Sequence, residues 1–454
     1  MTSRLRLLGS YAWTRARRWP SRAALEAWQE RQVRSHVAWV SARSPFHAER
    51  FARLGPDRWR EVPPVGKAET MARFGDANTA GIRLDDALAV ALRAERERDF
   101  APLLAGGVAV GLSSGTSGHR GLFLASAAER DRWAGAILAR VLPTGGIAGG
   151  LAQRHRVAFF LRASSALYER VQSRRIAFAY HDLLDPFERH VARLNAAPPS
   201  VLVAPPSVLR LLAREVAAGA LRIAPERVVS VAEVLDDVDR AAVETAFGRR
   251  LHEVYQATEG FLGFTCAHHT LHLHESHLVV EPTWVDRASG RFTPVVTDFS
   301  RRTQPVLRHA LDDVLVLRAE PCPCGSVFTA LERVEGRRDD AFVLPNEGGG
   351  PGKPGPEVIV FADFIRRAIL LGAEHADAYT ARQRLDGCVE VSVSVRDDAR
   401  AAAEAGVRAE LDRLWAAFGA VPPVVVFVAP PPETAGPVKR RRVTRERSSP
   451  DASP

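Results

Sequence analysis

Between about residues 155 and 257 the chain alternates short apolar runs with amphipathic stretches, and no other feature restricts its fold as much. "RVAFFLRAS" and "SVLVAPP" are apolar runs that end at turn residues, and "SVLRLLAREVAAG" follows with helical spacing. "RVVSVAEV", a helical pattern through "DRAAVETAFG", and then "RLHEVYQA" continue the series. Strand and helix alternating in this way predict a layered α/β architecture with mostly parallel strands. From about residue 262 the texture changes to "HLHESHLVVE" and "RFTPVVTDF", which predict a β-rich insert. The Pro/Gly-rich "PNEGGGPGKPGPE" (345–357) predicts a surface loop or linker. After it, "FADFIRRAILLG", "CVEVSVSV", "RAAAEAGVRAELDRLWAAFG" and "PVVVFVA" predict helix, strand, helix and strand, a compact α/β tail domain. The expected division is a large domain over 1–338 with a β-rich insert at 262–325, a small domain over 339–443, and a disordered tail over 444–454.

Charge narrows the partners. The formal net charge of +9 is carried almost wholly by arginine, because lysine occurs only at Lys67, Lys353 and Lys439. The arginines are scattered among acids rather than gathered into a patch, which argues against a nucleic-acid binder. The basic start, "MTSRLRLLGSYAWTRARRWPSR", has too short and broken an apolar run for a signal peptide, and it predicts a surface helix. No stretch nears the roughly 20 apolar residues of a membrane span. Four cysteines in 454 residues do not make a disulfide framework, and the expected location is cytoplasmic.

"VGLSSGTSGHRGLFLAS" (110–126) contains Gly-x-Ser-x-Gly with Ser113 at its centre, the pattern of a hydrolase nucleophile elbow. An elbow runs from a strand directly into a helix. Here Ser113 is followed by more glycine and then by a second strand-like run, "GLFLAS". That context suits a strand–loop–strand hairpin whose hydroxyls and amides wrap phosphate oxygens. No Gly-Lys-Ser/Thr follows, so it is not a Walker loop.

"SSGTSGHRG" resembles the phosphate loop of the adenylate-forming superfamily of acyl-CoA synthetases and adenylation domains. Ser113, Ser114, Gly115, Thr116, Ser117 and Gly118 match the loop, and Arg120 stands where its lysine is usual. "VYQATEG" (254–260) is similar to the aromatic-x-x-Thr-Glu motif. The resemblance implies Tyr255 beside adenine, Thr258 at the α-phosphate and Glu259 on Mg²⁺. "QPVLRHALDD" (304–313) resembles the segment whose aspartate binds the ribose hydroxyls, here Asp313, with His309 in place of a tyrosine and Asp312 in place of a glycine. "VEGRRDDAFVL" (334–344) resembles the Gly-Arg-x-Asp hinge, with Arg337 toward the nucleotide and Asp339 as pivot. "VKRRRV" (438–443) matches a Lys-x-x-Arg-Val pattern and makes Lys439 the expected catalytic lysine. Within the superfamily the chain is most similar to the phenylacetate-CoA ligase and coenzyme F390 synthetase-related branch, from about residue 20 to 443.

The resemblance implies ATP-dependent activation of a carboxylate, aryl or acyl, to an acyl-AMP. Transfer to CoA or to the phosphopantetheine of an acyl carrier protein would follow. Adenylyl transfer to a hydroxyl, as in F390 synthesis, uses the same nucleotide site. A non-catalytic, zinc-braced interaction protein is the alternative from another class, against which Glu259, Asp313, Arg337 and Lys439 stand. Phe159, Phe160, Tyr168, Phe178 and Tyr180 lie in the expected substrate region, where residues of this type also serve as core.

A second constellation is independent of the nucleotide motifs. Cys266 and His272, then Cys322 and Cys324 in "CPCG", supply three thiolates and one imidazole, the set of a closed structural zinc site. The branch carries a similar site. His274 shares a strand face with His272, so the sequence leaves the histidine ligand open. The bland reading is two cysteines in a Pro-rich turn beside solvated histidines.

Overall fold

The computed structural model describes residues 3–112, 121–143, 153–161, 172–337, 341–346, 357–360, 362–373, 376, 378–429 and 442–446. Contacts divide the chain into two compact units, one of residues 1–311 and 315–333, the other of 312–314 and 334–454.

The alternation seen in the sequence becomes the heart of a twelve-stranded sheet. Its parallel part runs Ile176–Asp182, His155–Leu161, Val201–Ala204, Arg227–Val231 and His252–Ala257 across the sheet. Val201–Ala204 is buried at every position, as expected for a parallel strand covered on both faces. Helices Phe187–Ala196, Pro206–Ala217 and Asp237–Phe247 connect these strands. Phe160, Leu202, Leu209, Leu212, Val228 and Val243 interlock beneath them. Phe160 is fully buried and stacks on His181, and Phe159, 5.5 Å from Phe178, is buried in a second core cluster, so both belong to the core. Tyr168 lies outside the described residues.

After His252–Ala257 the chain reverses. Gly260–Thr265 pairs antiparallel to it, and Leu271–Leu273 follows. The rest of the sheet is the β-rich region expected from residue 262: Ala330–Arg337, Asp313–Leu317, Arg291–Asp298 and Leu278–Asp286, with Val306–Ala310 paired on Arg291–Asp298. A separate hairpin, Ala109–Leu112 with Leu122–Ala125, flanks the serine- and glycine-rich loop.

The basic N-terminus is a helix, Ser3–Ala16, laid along the helix Ala127–Val141. The close approach comes from Gly135, where a Cβ would lie 2.3 Å from the Leu7 carbonyl oxygen. Asp131, fully buried, accepts from Ser3 at 2.7 Å and pairs with Arg6 at 2.9 Å.

The smaller unit carries a four-stranded sheet in the order Val425–Phe427, Val389–Ser394, Ala378–Gln383, Val443–Arg445. Helices Ala362–Gly372 and Arg400–Ala417 pack on each other, around a core with Trp415, Phe342 and Ile365 at its centre. The strands Ala378–Gln383 and Val443–Arg445 were not evident from the sequence. The last strand also carries order past residue 443, where the tail was expected to begin: Glu446 donates its amide to the Gln383 carbonyl at 2.8 Å and pairs with Arg382.

Replacing Gly135 with alanine forces two helix backbones apart and is expected to cost about 1–3 kcal/mol. Thermal melting of Gly135→Ala checks this; an unchanged midpoint contradicts the tight helix crossing.

Candidate functional site

The "VYQATEG" segment straddles a strand and a hairpin turn. Tyr255 lies in His252–Ala257 opposite Gly263, and a register shift follows it. A Cβ on Gly263 would sit 3.4 Å from that of Tyr255, so the glycine leaves room beside the ring. Tyr255 packs on Leu262, Leu278, Val296 and Val306. Thr258 and Glu259 form the turn. The Thr258 hydroxyl donates to Glu259 Oε2 at 2.8 Å. Glu259 Oε1 has His309 Nε2 3.7 Å away, beyond hydrogen-bond reach, and accepts no hydrogen bond among the described residues. One carboxylate oxygen thus accepts from Thr258 and the other lies at ion-pair distance from His309. A carboxylate of this kind can serve as a ligand to a hard divalent cation such as Mg²⁺.

Gly260 has a steric reason to follow Glu259. The carboxylate of Asp298 approaches it so closely that a Cβ would lie 2.8 Å from Oδ2. Asp298 is held there by the amide and hydroxyl of Ser300, at 2.8 and 2.6 Å, and burial pushes its carboxyl above the ordinary value.

Three residues that the motifs did not single out tie this turn to the hairpin bearing the serine- and glycine-rich loop. Arg301 donates to the Thr258 carbonyl at 3.1 Å and to the Leu124 carbonyl at 3.2 Å. Gln304 accepts from the Leu124 amide at 2.8 Å and donates to the Leu122 carbonyl at 3.1 Å. Glu129 completes a capping box with Ser126, and accepts from the Arg302 and Thr303 amides at 2.6 and 2.9 Å. The capping box was legible as Ser-x-x-Glu before a helical run. The contacts of Arg301 and Gln304 with the hairpin span more than 170 residues, and that of Arg301 with Thr258 spans 43, so they left no local signal.

Ser113, Ser114, Gly115, Thr116, Ser117, Gly118 and Arg120 lie outside the described residues, as do Asp339 and Lys439. Arg337 ends the strand Ala330–Arg337. Asp313 opens the strand Asp313–Leu317 and is partly exposed. Val443, the last residue of the "VKRRRV" pattern, is buried in register with Ala381.

The cysteines and histidine do converge. The ligand atoms of Cys266, His272, Cys322 and Cys324 lie within 4.8 Å of one another. Cys266 and Cys322 sulfurs are 3.7 Å apart, and Cys324 sulfur is 3.4 Å from His272 Nε2. A tetrahedral ion with sulfur at about 2.3 Å and nitrogen at about 2.0–2.1 Å requires separations of about 3.8 and 3.5 Å. Disulfide bonding needs about 2.05 Å, so these are free thiols. His272 Nδ1 lies 3.1 Å from the Phe328 carbonyl oxygen, which leaves Nε2 for the cluster. Of the two histidines the sequence left open, His272 is the one gathered with the cysteines. His274 is buried instead against Phe261 and Phe264, with neither nitrogen bonded among the described residues. Burial, and then the neighbouring sulfurs, push the Cys324 thiol up to about 12, whereas at Cys322 and Cys266 burial is outweighed by hydrogen bonds that hold Cys322 down to about 6 and Cys266 below its ordinary value. A cation among the three sulfurs would favour ionisation of the last.

No protein-family model matches the sequence, and no curated protein matches it. Solved structures do. A 2-hydroxyisobutyryl-CoA ligase in the postadenylation state, in complex with 2-HIB-AMP, superposes with a TM-score of 0.67 at 17% identity, over 92% of this chain and 89% of that one. This chain has that ligase's fold. The same ligase in an open conformation with 2-HIB-AMP and CoA gives 0.57 at 18% identity, over 92% and 91%. An anthranilate CoA ligase, AuaEII, in complex with anthranoyl-AMP gives 0.51 at 12% identity, over 73% and 65%. The ligase fold agrees with the α/β layering, the β-rich continuation and the small α/β unit expected from the sequence. Among the described residues no helix is long and apolar enough to cross a membrane.

Arg301 is the joint of this arrangement. Arg301→Gln removes donors from two carbonyls and is expected to destabilise by about 1–3 kcal/mol. Amide exchange in Leu122–Ala125 should quicken relative to the sheet core. Unchanged exchange there contradicts the role assigned to this guanidinium.

Proposed function

We propose that this protein uses ATP to adenylate a carboxylic acid and passes the acyl group to a thiol. The single observation that carries this reading is the Arg301 bridge. One guanidinium holds Thr258, beside Glu259, and Leu124, on the strand that leaves the serine- and glycine-rich loop. The two sequence elements expected to hold the phosphates are thereby anchored to the same cation. The structural neighbours, which carry acyl-AMP compounds, support the same chemistry.

In this reading Ser113, Ser114, Gly115, Thr116, Ser117, Gly118 and Arg120 receive the phosphates. Tyr255 flanks the adenine, and Asp313 accepts from the ribose hydroxyls. Thr258 donates to the α-phosphate or to Glu259. Glu259 would hold Mg²⁺, whose charge offsets that of the phosphates as the α-phosphorus is attacked. A substrate carboxylate oxygen forms the new bond to the α-phosphorus, the bond to the bridging oxygen breaks, and pyrophosphate leaves with that electron pair. Lys439 and Arg337 stabilise the negative charge that gathers on the reacting group. A thiol, of CoA or of a carrier protein's phosphopantetheine, then adds to the acyl carbon. AMP departs with the electron pair of the broken C–O bond, and the thiol proton passes to solvent. Asp339 is the pivot about which the segment bearing Lys439 moves between the two half-reactions.

Cys266, His272, Cys322 and Cys324 would hold a structural Zn²⁺, and the separations above fit it. Such an ion pins the Cys322–Cys324 turn to the strand after Glu259 and supplies stability rather than chemistry. The protein is expected to act in the cytoplasm on small carboxylates, without nucleic acid.

Mass-spectrometric product analysis with Mg-ATP and a panel of aryl and aliphatic acids, with and without CoA, tests the reaction. Acyl-AMP without CoA and thioester with it are expected. Glu259→Gln should lower ATP–pyrophosphate exchange by about 10²- to 10³-fold. No exchange with any acid in the parent protein overturns the proposal.

The metal has its own readout. Elemental analysis should find one zinc per chain, lost in Cys322→Ser, and chelation should lower the melting temperature by about 5–10 °C. A zinc-free protein with an unchanged midpoint after chelation rejects the zinc assignment and leaves the reaction untouched.

A further inference from the structure

Away from the Thr258–Glu259 turn, the larger unit has a pocket of about 520 Å³ between the two N-terminal helices and the start of the strand Leu278–Asp286. That is the size of a small organic ligand. Its apolar side is aromatic. Trp13 and Trp28 lie 6.0 Å apart by ring centroid, and Trp28 and Phe299 lie 5.4 Å apart. Its polar side is cationic, with Arg6, Arg132 and Arg302.

Arg6 is neutralised by Asp131 at 2.9 Å. Arg132 and Arg302 make no ion pair among the described residues, and Arg302 lies over the Trp39 ring at 4.8 Å. The carboxylates whose field reaches Arg132 are committed elsewhere: Glu129 to Ser126 and the Arg302 and Thr303 amides, Asp298 to Ser300. Burial holds the Arg132 guanidinium below the ordinary arginine value, with Arg302 and Arg6 adding to the effect against those two carboxylates.

Two buried polar atoms also await a partner at this pocket. Ser276 is only 1% exposed, yet its hydroxyl has no hydrogen-bond partner among the described residues. His277 Nε2 is likewise buried and unpartnered, and its ring faces Trp13 at 5.3 Å. A buried hydroxyl and imidazole left unsatisfied in a native fold call for a missing ligand or water. Two guanidiniums without an ion pair, beside a tilted Trp13–Trp28 pair and an edge-on Phe299, favour a ligand that is both anionic and aromatic.

We propose that this pocket binds a small aromatic anion, an aryl carboxylate or aryl phosphate, with its ring among Trp13, Trp28 and Phe299 and its anionic group on Arg132, Arg302 and Ser276. The site is separate from the nucleotide motifs and does not depend on the ligase reading. It shares with them only the segment 298–302, in which Arg301 turns to Thr258 and Ser300 and Arg302 turn to the pocket.

Titration of the full-length protein with benzoate and phenyl phosphate, followed by quenching of tryptophan fluorescence, tests the proposal. Phenol serves as the uncharged probe and inorganic phosphate as the ringless one. At least one aryl anion should bind saturably and at least tenfold more tightly than either control, and the stronger of the two identifies the anionic group. Arg132→Gln and Arg302→Gln should each weaken it about tenfold. Gly9→Phe removes no charge. Gly9 lines the pocket on a helix where an added Cβ meets nothing within 4 Å, so this variant should fold and abolish binding by filling the space. Absence of saturation up to about 10 mM, equal binding of phenol or of inorganic phosphate, or unchanged affinity in the Gly9→Phe variant each overturns the proposal.

Discussion

Glu129 is the interaction on which the site's geometry rests. Its carboxylate is 5% exposed and accepts from Ser126, from the amides of Arg302 and Thr303, and from the Thr303 hydroxyl. Burial alone would raise its pKa. The charge of Arg301 and the hydrogen bonds from Ser126 and Thr303 outweigh that and leave it lowered. A depressed folded value means that Glu129 adds stability above its unfolded pKa and loses it as acid protonates the group. One buried charge therefore caps the helix Ala127–Val141 and fixes the segment 301–304 against it. Arg301 and Gln304 are then placed to reach the hairpin and the Thr258 turn.

For the serine- and glycine-rich loop to receive phosphates as proposed, its ends must be fixed so that its amides can converge. The hairpin strands Ala109–Leu112 and Leu122–Ala125 are short, four residues each, and among the described residues form a two-stranded sheet of their own. Their anchorage comes instead from Arg301 and Gln304, in the loop between the strands Arg291–Asp298 and Val306–Ala310. The carboxylate at Glu259 is held by similar means. Its turn is fixed by Arg301 on the Thr258 carbonyl and by the packing of Gly260 on Asp298, and its second oxygen lies 3.7 Å from His309 Nε2.

The sequence showed what is written locally. Short apolar runs located four of the five parallel strands but not Ile176–Asp182, and helical spacing located Pro206–Ala217 and Asp237–Phe247. Cysteine spacing brought out a tetrad whose geometry proves tight. It could not choose between His272 and His274, because both lie within three residues and either would face the same way on an ideal strand. The strand Leu271–Leu273 ends between them, and tertiary packing sends His274 into the Phe261 and Phe264 side. It also missed Val443–Arg445, a three-residue strand inside a basic run whose burial depends on pairing with Ala378–Gln383. Arg301, Gln304 and Asp298 were invisible for the same reason: each acts across a fold that must exist before the contact does.

The segment 298–303 shows how little chain separates two environments. Asp298 packs on Gly260, Arg301 bonds Thr258 and Leu124, and Thr303 bonds Glu129, all on the side of the nucleotide motifs. Phe299, Ser300 and Arg302 line the aromatic pocket. Ser300 belongs to both, since its hydroxyl and amide hold Asp298 while its residue faces the pocket. Close-packed interiors transmit displacements rather than absorb them. An anion that drew Arg302 or Ser300 by a few tenths of an ångström would move the amide on Glu129 or the hydrogen bonds on Asp298. Coupling between the pocket and the Thr258–Glu259 turn would run through this segment, which gives Phe299, Ser300 and Arg302 to the pocket and Asp298 and Arg301 to the turn.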